Sequence, residues 1–167
     1  MSTRILFHSL FRSLRPVMLG LLVLTGRCWL QAATLPSGFV ETVVNSPTGP
    51  NWNEAVGMCF EDNGRLYVWE RSGHVWFKEN GGSTWALLID LEEEVGNWRD
   101  FGLLGFALDP NFRVNGNIYL SYEVDRHYLM NFGTPNYNPN ANEYFAATIA
   151  RVTRYTARAS DGFTSVD

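Results

Sequence analysis

The sequence predicts an all-β chain, and three observations predict it. From Leu35 onward the apolar residues alternate or run in short blocks, with no capped 3.6-residue stripe among them. Asn-Gly, Ser-Gly and Gly-Gly pairs punctuate those blocks as turns. One β unit is written twice, opening at Gly57 and again at Gly105.

The elements follow in order. "FVETVV", residues 39–44, is period-two and reads as a strand. "SPTGPNWN" is a loop, because Pro47 and Pro50 have no N–H to give a ladder. "AVGMCFE" from Ala55 is short and mostly apolar, the pattern of a buried strand with Cys59 as a small buried residue. Asp62-Asn63-Gly64 marks a tight turn. "RLYVWER" then alternates, with Leu66, Val68 and Glu70 on one face, and Ser72-Gly73 turns the chain again. "HVWFKE" is the next strand, with His74 near the surface, and "WALLIDL" follows the "NGGST" turn.

In "FGLLGFALDPNF" the two glycines lead into Pro110 and a turn. A dinucleotide fingerprint would need a helix there, so the stretch reads as a buried strand with its entry turn. A long insertion rich in Asn and Pro separates the next strand from "ATIARVTRYTA".

In the repeat, Gly57 lies over Gly105, Cys59 over Ala107 and Phe60 over Leu108. Glu61 lies over Asp109, Asn63 over Asn111, Gly64 over Gly116, and "LYV" over "IYL". A repeated four-stranded unit of roughly 40–50 residues is the pattern of a β-propeller blade. Innermost strands, pressed between blades, should be continuously apolar, and outer strands should alternate with polar residues. About two blades are present, and a closed ring needs at least about four. Residues 34–167 are therefore expected to belong to a larger propeller whose remaining blades lie outside this chain.

Residues 1–33 read as a signal peptide. Arg4, Arg12 and Arg15 precede the apolar "VMLGLLVL", and Ala32 and Ala33 supply small residues at the cleavage zone. The apolar run is far short of the roughly 20 residues of a bilayer span. Leu30 or Gln31 at the third position before cleavage leaves an uncleaved anchor as the alternative. Export places the protein in a secreted or periplasmic setting. Removing the segment's four arginines leaves nine basic against 17 acidic residues, a net charge of −8. That surface repels nucleic acid and anionic lipid. Cys59 is then without a partner for a disulfide.

"LPSGF" at Leu35, "GLLGFALDPNF" at Gly102 and "NGNIYLSY" at Asn115 together resemble the glucose/sorbosone dehydrogenase family, over residues 35–160. The resemblance implies a six-bladed propeller that seats pyrroloquinoline quinone (PQQ) and calcium on its top face. It implies hydride transfer from a sugar or related alcohol to the quinone, with a histidine as base. The catalytic histidine, the quinone-binding basic residues and the calcium ligands are expected beyond residue 167. No catalytic or metal-binding residue is therefore assigned within the chain.

One family position carries over: a sugar-contacting glutamine, two residues before the first glycine, is Asp100 here. Asp100 could accept a hydroxyl hydrogen bond, and Arg99 stands beside it. The two are the substrate-binding candidates, unless Arg99 neutralises Asp100 as a structural ion pair. The implied function is the N-terminal portion of an exported PQQ-dependent sugar dehydrogenase-like oxidoreductase, inactive alone. The alternative is a non-catalytic extracellular propeller that binds a ligand.

Three features have bland readings. Asp125 and His127 sit in the insertion, as a pair at a pocket rim or as part of a solvated loop. "DLEEEVGN" from Asp90 reads as a solvated acidic loop. "DPNFRVNGN" lacks the oxygen ligands of a calcium loop and reads as a turn.

Overall fold

The computed structural model describes residues 34–49 and 51–166. The predicted signal peptide lies outside the described residues. The chain divides into two compact units, Met1–Glu41 and Thr42–Asp167. In the first, the described residues include a turn in which the Phe39 N–H donates to the Pro36 carbonyl at 3.1 Å.

The second unit is built on two antiparallel sheets. Strands β1 (Ala55–Phe60), β2 (Leu66–Glu70), β3 (His74–Lys78) and β4 (Ala86–Asp90) lie in the order β1-β2-β3-β4. Strands β5 (Leu103–Leu108), β6 (Asn117–Glu123) and β7 (Ala150–Thr156) lie in the order β5-β6-β7. Consecutive strands pair in both sheets, through short connections except between β6 and β7, which the 124–149 insertion separates. Among the described residues, helical structure amounts to one-turn α1 (Phe112–Asn115), α2 (Arg126–Asn131) and a 3-10 turn at Ala159–Asp161. No helix among the described residues is long and apolar enough to cross a membrane.

The written repeat is a repeat of register. Gly57, Met58, Cys59 and Phe60 pair with Trp69, Val68, Tyr67 and Leu66. Gly105, Phe106, Ala107 and Leu108 pair with Ser121, Leu120, Tyr119 and Ile118. Each hairpin carries a ladder irregularity just before its glycine, between Ala55 and Gly57 and between Leu103 and Gly105. One alignment needs correcting: Asn63 matches Asn115 rather than Asn111. The Asn63 side chain accepts the Arg65 N–H, and the Asn115 side chain accepts the Asn117 N–H, each at 2.9 Å across a following glycine.

Three expectations fail. Residues 39–44 form no strand. Val40 and Val43 stay exposed, so the period-two stripe has no apolar face to bury. Strand β1 is an edge with one ladder neighbour, and its Met58 and Phe60 are 60% and 64% exposed instead of buried. Burial concentrates in middle strands β2 and β6, where Tyr67, Ile118, Leu120 and Tyr122 are closed off. The third failure is that the 126–131 segment is helical, although it is too short to show a stripe.

The core lies between the sheets. Tyr67, Val75, Phe77 and Leu88 from the first join Leu103, Phe106, Ile118, Leu120 and Tyr122 from the second in one cluster. Phe106 of β5 sits 5.4 Å from the Tyr67 ring and 5.7 Å from the Trp69 ring. At the turn end, buried Arg65 donates to the Phe163 carbonyl at 2.9 Å and the Gly162 carbonyl at 3.2 Å. Its guanidinium also pairs with Glu79.

Candidate functional site

The opposite end of both sheets collects the chemistry. The β2–β3 turn, the 91–102 loop leading into β5, and the 124–149 insertion all emerge there. Arg71 organises it. Its Nε donates to Asn97 Oδ1 at 2.8 Å, and its Nη2 pairs with Glu54 Oε1 at 2.7 Å. Its Nη1 donates to the Arg99 carbonyl. The Arg71 carbonyl accepts the Leu103 N–H at 2.8 Å, where the loop enters β5.

Gly102 makes that entry possible. Its φ is 144°, and a Cβ there would fall 2.3 Å from Arg71 Cγ and 2.6 Å from the Arg71 carbonyl oxygen. The Gly102 N–H donates to Glu123 Oε2 at 3.0 Å. The first glycine of Gly-Leu-Leu-Gly is thus a close-approach residue.

Asp100 and Arg99, the predicted substrate residues, are adjacent and exposed at the loop tip. They do not form an ion pair with each other: the Arg99 guanidinium lies 4.8 Å over the Phe145 ring, a cation–π contact with the insertion. Arg99 has φ 51°, a turn that sends its side chain that way. Phe145 also packs 4.9 Å from Trp98, which meets Phe101 at 4.3 Å. The Asp100 carboxylate is left without a hydrogen bond or ion pair among the described residues.

Asp125 and His127 are not a catalytic pair. Asp125, 1% exposed, caps α2 by accepting the His127 and Tyr128 N–H groups at 2.8 and 3.2 Å. Its second oxygen accepts the Glu143 N–H at 3.1 Å. His127 Nε2 accepts the Asn138 N–H at 3.1 Å, and the ring stacks on Tyr137 at 5.8 Å. Both residues hold the insertion against the sheet.

The acidic loop is not wholly solvated. Glu94 is partly buried, accepts the Tyr122 hydroxyl at 2.8 Å and pairs with Arg151 at 2.9 Å. Burial, with Glu94 and Tyr155 alongside, pushes the Tyr122 phenol well above its ordinary range.

Sequence reasoning missed one constellation. His74 opposes Asp90 in the β3–β4 ladder, and Glu92 follows in the next turn. His74 Nε2 is 3.3 Å from Asp90 Oδ1 and 3.8 Å from Glu92 Oε2. The available signal was the strand register itself.

These two ladder-matched hairpins, with a shared core and a polar loop end, define an all-β protein assembled from a repeated antiparallel unit. The chain belongs to the glucose/sorbosone dehydrogenase family, whose model matches residues 52–153. Among solved structures it is similar to the PQQ-bound form of an aldose sugar dehydrogenase (Adh) from Streptomyces coelicolor, at 16% identity and a TM-score of 0.48. That similarity covers 77% of this chain and 31% of the other, so the chain spans less than a third of that protein's length. Comparison with curated proteins finds no match.

PQQ, a polyanionic quinone, does not fit the side chains of this end. Carboxylates of Glu54, Asp90, Glu92, Glu93 and Asp100 dominate it, while Arg71, Arg126 and Arg151 are engaged by Glu54, Glu143 and Glu94, and Arg99 lies over the Phe145 ring. Calcium prefers an all-oxygen shell. Among the described residues, the side-chain group close enough to hold a cation includes an imidazole.

Proposed function

We propose that this chain is the N-terminal portion of an exported sugar dehydrogenase-like oxidoreductase. Its two sheets are read as two blades of a six-bladed propeller. The reaction is hydride transfer from a sugar or related alcohol to PQQ. The quinone, its calcium and the base histidine belong to the remaining blades; the part played here is to bind and orient the substrate.

One observation carries the assignment: Asp100 presents an unpartnered carboxylate on a loop braced by Arg71 and Gly102, within a chain of this family. A carboxylate with free lone pairs accepts sugar hydroxyls, and such charge-assisted bonds are worth about 1.5–3 kcal/mol. Arg99, stacked on Phe145, borders the same spot and limits how the sugar approaches.

The test is dye-linked oxidation of aldoses by the full-length protein supplied with PQQ and calcium, comparing wild type with Asp100→Ala. The expected result is a rise in KM of about 10- to 100-fold from losing one charge-assisted bond, with a smaller change in kcat. An unchanged KM would remove Asp100 from the site. No PQQ-dependent oxidation of any sugar or alcohol would favour the non-catalytic binding propeller instead.

A further inference from the structure

We propose that His74, Asp90 and Glu92 form a divalent-metal site with one nitrogen and two carboxylate ligands, open to a cleft. The site suits zinc or a similar borderline ion, and it is separate from the calcium expected to accompany the quinone. It stands independently of the proposed oxidoreductase activity.

The spacing approaches that of a coordination sphere, with the His74–Asp90 distance inside it and the His74–Glu92 distance just beyond. Zinc–nitrogen and zinc–oxygen bonds of about 2.0–2.2 Å at tetrahedral angles put neighbouring ligand atoms about 3.3–3.6 Å apart. His74 Nε2 lies 3.3 and 3.8 Å from the Asp90 and Glu92 oxygens, and all three ligand atoms lie within 4.8 Å of one another. A cation placed among them satisfies both carboxylates at once.

Buried groups back the imidazole on its other side. His74 Nδ1 faces Ser72 Oγ at 3.2 Å and Glu70 Oε2 at 3.5 Å, both on buried residues. Glu70 is itself held by the Trp76 indole N–H at 2.9 Å and the Asn53 N–H at 2.8 Å. A carboxylate behind an imidazole orients the ring and strengthens its far nitrogen as a ligand. Here that far nitrogen, Nε2, points at Asp90 and Glu92.

The backbone brings the third ligand in. Gly73, at φ 117°, has the Leu91 carbonyl carbon 2.8 Å and the Glu92 nitrogen 3.0 Å from where a Cβ would stand. Only a glycine lets the turn after β4 close against the β2–β3 turn. The Glu92 N–H then donates to Asp90 Oδ1 at 2.9 Å, tying the Asp90 carboxylate to the backbone that carries Glu92. Asp90 and Glu92 also line a cleft of about 560 Å³ with Glu93, Pro139, Asn140 and Asn142. Its volume admits water or a small ligand to the remaining coordination position.

The experiment is calorimetric titration of the metal-stripped full chain with zinc ion alone, for wild type, Asp90→Asn and Glu92→Gln. His74 ring signals are followed by NMR in the same samples. Glu92 is exposed, so its amide variant should fold as wild type does. The expected result is one zinc per chain, at least tenfold weaker in each variant, with the His74 ring signals shifting on zinc addition. Zinc affinity within twofold of wild type in both variants would overturn the proposal. So would a His74 ring indifferent to zinc.

Discussion

Replacing Arg71 with methionine removes the brace of the Asp100 loop while keeping most of the side-chain volume. Two charged donors are lost, to Asn97 Oδ1 at 2.8 Å and to the Arg99 carbonyl. Hydrogen bonds from a charged group contribute about 1.5–3 kcal/mol each when buried. The Arg71 side chain is 26% exposed, so roughly half of that sum applies. The ion pair to half-exposed Glu54 adds at most about 1 kcal/mol. The net cost of opening the loop should fall by about 2–3 kcal/mol, a factor of roughly 30 to 150 in the opening equilibrium. Amide hydrogen exchange at Phe101 and Gly102 reads that equilibrium directly, because their N–H groups bond within the loop end, to the Trp98 carbonyl and to Glu123. Arg71→Lys keeps the charge but not the fork, and should fall between wild type and Arg71→Met. Exchange at Phe101 rising less than threefold in Arg71→Met would show that Arg71 does not hold the loop.

Two other perturbations test the surrounding structure. Asp125→Ala leaves three N–H groups without their acceptor, those of His127, Tyr128 and Glu143. It should cost about 3 kcal/mol and lower Tm by about 10 °C in a thermal melt followed by circular dichroism; a shift under about 3 °C would deny the cap its role. Burial, with Glu61 nearby, pushes the Cys59 thiol up to about 11 from an ordinary value of 9.0. The fold favours the neutral thiol, so its stabilising contribution is complete below pH 9.0 and fades as pH rises from there to about 11. Alkylation of native Cys59 at pH 8 should run about a hundredfold slower than that of an ordinary thiol, and the same rate as in the urea-unfolded chain would refute the shift.

What could be read from the residues was what local pattern encodes. The Gly57 and Gly105 units matched because register, ladder irregularity and Asn-Gly turn are each written within a few neighbouring residues. The structure gives the matched units the same register, Met58 pairing with Val68 and Phe106 with Leu120. Burial was read less well, because apolarity reports what a side chain favours and not what lies against it. Met58 and Phe60 are as apolar as Leu103 and Phe106, and β1 and β5 are both sheet edges, yet Met58 and Phe60 stay exposed while Phe106 lies against Tyr67 and Trp69.

The loop end was legible only in part, for a geometric reason. Asp100 could be singled out by its distance along the chain from Gly102. Arg99 could not be placed, because its side chain is committed to Phe145, a residue of another loop. The group at His74 needed two things at once: the β3–β4 register that sets His74 opposite Asp90, and the Gly73 contact that folds Glu92 back onto the same ring. Each is weak as a motif, and each acquires meaning only after a strand is paired. A search for candidate ligands in β proteins should therefore count residues across a proposed ladder as well as along the chain. On that count "SGHVW" and "LIDLEE" are one feature, divided between two strands.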